Sequence, residues 1–145
     1  MDTYGFKDPT VESMAEALVN LLEVSNSKLT TVVVYPVPEV GCDPYKYNLH
    51  YKNITGSELE ALSFPVGEYD RRNEFFISTL DKFYEQNKAT VIPVRLRSAF
   101  CKRYDIEACV VVEGSVPFYF DDDHLSDTGA DIVVEEILKA IERGN

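Results

Sequence analysis

Leu29-Thr30-Thr31-Val32-Val33-Val34-Tyr35 is the stretch that most limits the fold. It is β-branched and almost continuously apolar, the composition of an interior parallel strand covered on both faces. Pro36-Val37-Pro38 follows at once, and because proline lacks the N–H a ladder needs, the strand ends there. Such a strand demands helices above and below it. The preceding residues supply one. Val11, Met14, Ala15, Ala17, Leu18, Leu21 and Leu22 recur three and four apart behind Asp8-Pro9-Thr10. This predicts an amphipathic helix of about four turns, ending near Ser25-Asn26-Ser27, with its apolar stripe facing the core.

A second helix-to-strand unit follows. Phe75, Phe76, Thr79, Leu80, Phe83 and Tyr84 keep helical spacing between Asp70 and Asn87, and Ala89-Thr90-Val91-Ile92-Pro93-Val94 reads as another short buried strand. Two such units extend a parallel sheet, so the expected class is α/β, three-layer, a mainly parallel sheet flanked by helices. No strand is evident ahead of the first helix, and the expectation is an incomplete domain. Gly41 to Asp70 holds Tyr45, Tyr47 and Tyr51 without a sustained period. It reads as a long excursion with a short helix at Ser57 to Leu62, its tyrosines either pinning a loop or lining a carbohydrate or partner surface. His50 is assigned no chemistry. Cys109-Val110-Val111-Val112 and Val116-Pro117-Phe118-Tyr119-Phe120, split by Glu113-Gly114-Ser115, suit a β-hairpin. Ile132, Val133, Ile137, Leu138 and Ile141 predict a last helix from Asp127 to Arg143, capped by Ser126 and stopped by Gly144.

The 145 residues, 45% hydrophobic, suffice for one ordinary core, hence a single domain over residues 1–145. A net charge of −11, from 25 acidic and 14 basic residues, argues against nucleic acid as a partner, since that surface must be basic to displace counterions. Arg95, Arg97, Lys102 and Arg103 are the one notable basic cluster, either solvated or meeting an acidic polymer. No apolar run approaches the roughly 20 residues that cross a bilayer. The polar opening lacks a signal peptide's basic and apolar regions, so the segment reads as soluble without an export address. Of Cys42, Cys101 and Cys109 one must stay unpaired. Spacing alone suits a Cys101–Cys109 bridge and three free thiols equally, and no C-x-x-C metal spacing is present.

The chemistry concentrates in Phe120-Asp121-Asp122-Asp123-His124-Leu125-Ser126-Asp127-Thr128-Gly129-Ala130, between the hairpin and the last helix. A carboxylate three residues before an imidazole can orient it at a sheet edge, where ligands of α/β folds bind. The residues alone admit three readings: a solvated acidic turn, a divalent-cation site built on clustered carboxylates, or a catalytic dyad.

Asp121-x-x-His124-Leu125-Ser126-x-x-Gly129-Ala130 resembles the last conserved block of the SGNH hydrolase superfamily, above all the SGNH domains of membrane acyltransferases that O-acetylate bacterial surface polysaccharides. The buried strand ending in Pro36-Val37-Pro38 is similar to those domains too. The resemblance implies an SGNH/flavodoxin-like fold, with His124 as general base and Asp121 as its orienting partner in a Ser-His-Asp triad. It also implies acetyl transfer to a polysaccharide hydroxyl, acetyl-CoA as ultimate donor with no cofactor held by this segment, and a membrane acyltransferase domain as partner in the same or a separate chain. The setting it implies is extracytoplasmic, periplasm or cell surface, tethered to a membrane, and it tips the cysteine reading toward the Cys101–Cys109 bridge. The match spans roughly the C-terminal half of such a domain. The Gly-Asp-Ser-like nucleophile block and the Gly and Asn oxyanion blocks of the superfamily have no counterpart here. Gly56-Ser57 and Gly114-Ser115 lack the aspartate and occur in the wrong order, so no serine is assigned as nucleophile. A base without nucleophile or oxyanion donors retains little activity, and the expected fragment would be poor or inactive alone. Two rival readings are an esterase releasing acyl groups to water and a non-catalytic acidic interaction module, an immunity or assembly factor.

Overall fold

The computed structural model describes residues 9–26, 29–101 and 107–144. Helix α1 (Pro9–Asn26) leads into strand β1 (Thr31–Val34), then α2 (Pro44–Thr55), β2 (Ala61–Pro65), α3 (Val66–Gln86), β3 (Val91–Val94), α4 (Arg97–Phe100), β4 (Ala108–Glu113), β5 (Val116–Pro117) and α5 (Asp127–Gly144).

The two β-branched runs pair as expected. β1 and β3 lie parallel, Thr31 opposite Val91 and Val34 opposite Val94. Side chains alternate across a strand, so the pair has two apolar faces to cover. Val33, Tyr35 and Val91 pack against α1 and α3 through Leu18, Leu22, Leu80 and Phe83. Val32 and Val94 belong to a second cluster with Ile132, Val133 and Ile137 of α5. Helices above and below the parallel pair make the three layers.

The α/β class is as the sequence indicates, and the parallel arrangement belongs to β1 and β3. The other three strands form an antiparallel sheet in the order β2-β4-β5. β4 is its centre, buried from Cys109 to Val112. The link from β4 to β5 is too short for a crossover: Gly114 and Ser115 both have positive φ, 54° and 65°, as a two-residue hairpin turn of matching twist requires. The predicted hairpin is therefore present, but β5 is only Val116–Pro117; Phe118 N–H makes a last bond to the Val111 carbonyl at 2.8 Å, and Tyr119 and Phe120 leave the ladder.

The stretch from Gly41 to Asp70 is not the irregular excursion expected. Asp43 caps α2 by accepting from the Lys46 N–H at 3.0 Å, Pro44 occupies the first turn, and Gly56, at φ 75°, ends the helix. The helix predicted at Ser57 to Leu62 is replaced by β2, an edge strand whose residues alternate exposed and half-buried. α3 begins at Val66 rather than Asp70, because Val66 and Tyr69 bury one helical step apart. Within α5, Leu138 is exposed and Ala140 is packed in its place.

Cys101 and Cys109 form a disulfide that ties the end of α4 to β4, in agreement with the resemblance; Cys42 is free. Arg95 and Arg97 are not an open basic patch. Arg97 holds both carboxylate oxygens of Asp70 at 2.6 Å, while Arg95 donates to Asp81 at 2.6 Å and lies 4.4 Å over the Tyr35 ring. Lys102 and Arg103 lie outside the described residues.

The first turn of α5 presses on the chain leaving β5. A Cβ on Gly129 would collide with the Phe118 carbonyl oxygen, a backbone atom that cannot yield. Gly129→Ala should cost about 3 kcal/mol and lower the thermal midpoint by roughly 10 °C, read by circular dichroism. Cys101→Ala/Cys109→Ala, which opens a crosslink of sequence separation 8, should cost about 2.5 kcal/mol in denaturant unfolding on the loop-entropy relation.

Candidate active site

The loop from Phe118 to Ser126 is closed by its own backbone. Ser126 N–H donates to the Phe118 carbonyl at 3.0 Å, Phe120 N–H donates to the His124 carbonyl at 2.8 Å, and Tyr119 bridges Leu125 as an antiparallel pair. Outside this neck, the Ser126 hydroxyl donates to the Pro117 carbonyl at 2.7 Å and accepts from Gly129 N–H at 3.2 Å, the N-cap bond of α5. Val40 N–H donates to the Asp122 carbonyl at 3.1 Å, joining the loop to the chain that leaves the carboxyl end of β1. That is where open parallel sheets present their sites.

Within the neck the structure brings Asp121 and His124 together. The Asp121 carboxylate turns back on its own chain and accepts from Asp123 N–H at 3.1 Å and His124 N–H at 2.8 Å. Both of its oxygens also stand 3.0 Å from His124 Nδ1. The backbone N–H of His124 is the first reason the Asp121 carboxyl titrates far below its usual range, at about 2. The hydrogen bond that the ring donates to Asp121 is the leading reason the imidazole is pushed up, with the charges of Asp121 and Asp123 adding to it.

Geometry fixes which nitrogen can act as a base. A carboxylate only accepts, so Nδ1 must carry the hydrogen, and the neutral ring keeps its lone pair on Nε2, across the ring from Asp121. The His124 side chain is 74% exposed, leaving that nitrogen open.

The motif assigns no role to Asp123, yet its carboxylate lies 2.8 Å from the same Nδ1. The adjacent acidic run was the available signal. Two carboxylates thus compete for one N–H. Asp121 is 32% exposed and held by two backbone donors, whereas Asp123 is 59% exposed. The anchored group fixes the ring; the other adds charge beside it.

The other candidate groups of the sequence do not join the pair in this structure. Ser126 is used as a cap. Ser115 sits in the β4–β5 turn, Ser57 follows α2, and His50 is exposed on α2 rather than in a loop. Cys42 lines a cleft of about 650 Å³ beside Asp121, but burial, followed by the charges of Asp43 and Asp122, pushes its thiol up and disfavours the nucleophilic thiolate. Asp121, Asp123 and His124 offer ligand atoms within 4.8 Å of one another, the only such group among the described residues, but exposed acidic clusters of this kind occur without a cation.

The family model that matches is the SGNH domain (fused to AT3 domains), over residues 2–139. No curated protein and no solved structure matches.

A proton-NMR titration should find the His124 midpoint above the ordinary 6.5. Because the carboxylates favour the charged ring, Asp121→Asn should move the midpoint down clearly and Asp123→Asn by less. An unchanged midpoint in Asp121→Asn would show that the pair does not form in solution.

Proposed function

Since the chain belongs to the SGNH domains that are fused to AT3 acyltransferase domains, we propose that His124 and Asp121 are the base and orienting acid of a Ser-His-Asp site that transfers an acyl group, acetyl by preference, to a hydroxyl of a cell-surface polysaccharide. The observation that carries this reading is the bidentate hold of Asp121 on His124 Nδ1. It sets the tautomer that general-base chemistry needs.

In the proposed cycle, Nε2 takes the proton of a serine hydroxyl as its oxygen attacks the acyl carbonyl, and the proton passes to the departing group. Nε2 then takes the proton of the acceptor hydroxyl as that oxygen attacks the acyl-serine, and returns it to the serine. The imidazolium formed in each step is stabilised by Asp121, with Asp123 adding negative charge. The serine and the oxyanion donors are assigned to polypeptide outside the residues described, with acetyl-CoA as ultimate donor through the AT3 domain. Among the described residues no helix is long and apolar enough to cross a membrane. The Cys101–Cys109 disulfide supports an extracytoplasmic setting, where such bonds persist.

An esterase is the second reading, favoured by one observation. A ring 74% exposed admits water, which could replace the sugar as acceptor. Mass-spectrometric measurement of acylated glycan against free acid separates the two.

The test uses the intact gene product. His124→Ala should reduce kcat by roughly 10⁶, Asp121→Asn by roughly 10⁴, and Asp123→Asn by less than about tenfold. The base works only when deprotonated, and its pKa is raised, so kcat/KM should climb with pH on a limb lying above the ordinary 6.5. Full activity in both His124→Ala and Asp121→Asn would refute the assignment and favour a non-catalytic module.

A further inference from the structure

Two aromatic rings stand in solvent at the mouth of the Asp121–His124 loop. Phe120 is 64% exposed and Tyr45, from the first turn of α2, is 53% exposed. They meet edge to face, centroids 5.9 Å apart at 61°. The pair walls two clefts at once. The 650 Å³ cleft runs over Asp43, Lys46, Asp121 and Asp122, and a second of about 340 Å³ runs over Pro117, Leu125 and Ser126.

Aromatic faces left in water next to Asp121, the carboxylate that holds His124, with hydrogen-bond acceptors at their rim, suit a ligand that is apolar on its faces and hydroxylated at its edges. A pyranose has that shape: its C–H face packs on a ring while its hydroxyls donate to carboxylates. The rim also sets a charge. Asp43, Asp121 and Asp122 face one cation, Lys46, which is already paired with Asp43 at 3.0 Å. An acidic sugar would enter against an excess of carboxylates, whereas a neutral or amino sugar would not be repelled.

We infer that Tyr45 and Phe120 form the acceptor-sugar platform of this site, and that the acidic rim selects neutral or amino sugars over anionic ones. The inference rests on the acyl-transfer reading for its role and on the cleft alone for its binding.

The binding is tested on this chain by following backbone amide signals in two-dimensional NMR. Probes are the neutral N-acetylglucosamine tetramer, its deacetylated amino form, and tetragalacturonate. Signals of Cys42 to Lys46 and Phe120 to Leu125 should move with the first two, and tetragalacturonate should bind at least about tenfold more weakly. Tyr45→Ala and Phe120→Ala should each weaken the neutral tetramer by about tenfold, and Tyr45→Phe, which keeps the ring, should not. No movement with the neutral and amino tetramers, equal binding of tetragalacturonate, or an unaltered affinity in both alanine variants would each overturn the inference. In the intact protein, Tyr45→Ala should raise the acceptor KM with little change in kcat. If it does not, while His124→Ala abolishes transfer, the platform fails and the triad stands. If the tetramer binds as expected but His124→Ala leaves transfer intact, the triad fails and the sugar cleft stands.

Discussion

The first turn of α5 lies almost in van der Waals overlap with the backbone leaving β5, and most of the site's geometry follows from that approach. Only a residue without a side chain at Gly129 lets the helix come so near the Phe118 carbonyl. The same closeness lets the Ser126 hydroxyl reach the Pro117 carbonyl while its oxygen caps the Gly129 N–H. Both ends of the Asp-rich loop are then fixed on one rigid joint between a strand and a helix. A loop pinned within a few ångströms at its neck has little conformational entropy left to lose, so Asp121 can fold back on two backbone N–H groups and still meet the ring of His124. Leu125 adds an anchor in the same core cluster as Phe118 and Tyr119. Each residue of the Leu125-Ser126-x-x-Gly129 stretch therefore has a mechanical part in aiming the imidazole.

Much of this was legible in the sequence for identifiable reasons. The β-branched runs that became β1 and β3 are buried on both faces, and continuous apolar character reports that situation directly. α5 was readable to within a residue because its cap, its apolar spacing and the site motif all converge there. α2 was not. Its core contact is made mainly by Pro44, while Tyr45, Tyr47, Leu49, Tyr51 and Ile54 remain exposed, so no single face carries the period. The local signals did exist, Asp43 and Pro44 at the start and Gly56 at the end, but they were outweighed by the absent apolar rhythm. β2 was lost because alternation in a five-residue edge strand resembles a fragment of helix spacing. Asp123 is not legible from the motif, which assigns only one carboxylate to the imidazole, and sequence does not reveal that a tight turn brings both onto one nitrogen.

The charge distribution has a comparable logic. The acidic excess is not spread evenly in its consequences: the arginines following β3 are neutralised by aspartates of α3, Arg97 by Asp70 and Arg95 by Asp81. These pairs clamp the carboxyl end of β3 to α3 and leave little positive potential there. Beside the Asp-rich loop, Lys46 shares a cleft with Asp121 and Asp122 and is itself held by Asp43. The potential around His124 is thus set by Asp121 and Asp123, which favour the protonated ring. For a base this works in two directions. A raised pKa makes Nε2 a stronger proton acceptor, while it lowers the fraction of neutral ring available at a given pH.

The exposure of the ring bears on how such a base would become effective on the acyl-transfer reading. In water the field of two carboxylates is strongly screened, so the Asp121–His124 pair orients the imidazole more than it stabilises the charge that forms on it. Covering the ring with a bound sugar and the chain carrying the serine would remove that screening from both groups at once. The same carboxylates would then act more strongly on the developing imidazolium than on the neutral ground state, the differential that accelerates a chemical step. Tyr45 and Phe120 would contribute by supplying apolar surface where the sugar excludes water, next to the neck rather than within it. Orientation would then come from a prebuilt loop and electrostatic stabilisation from assembly of the site, an order that would also limit loss of the acyl group to water before an acceptor is in place.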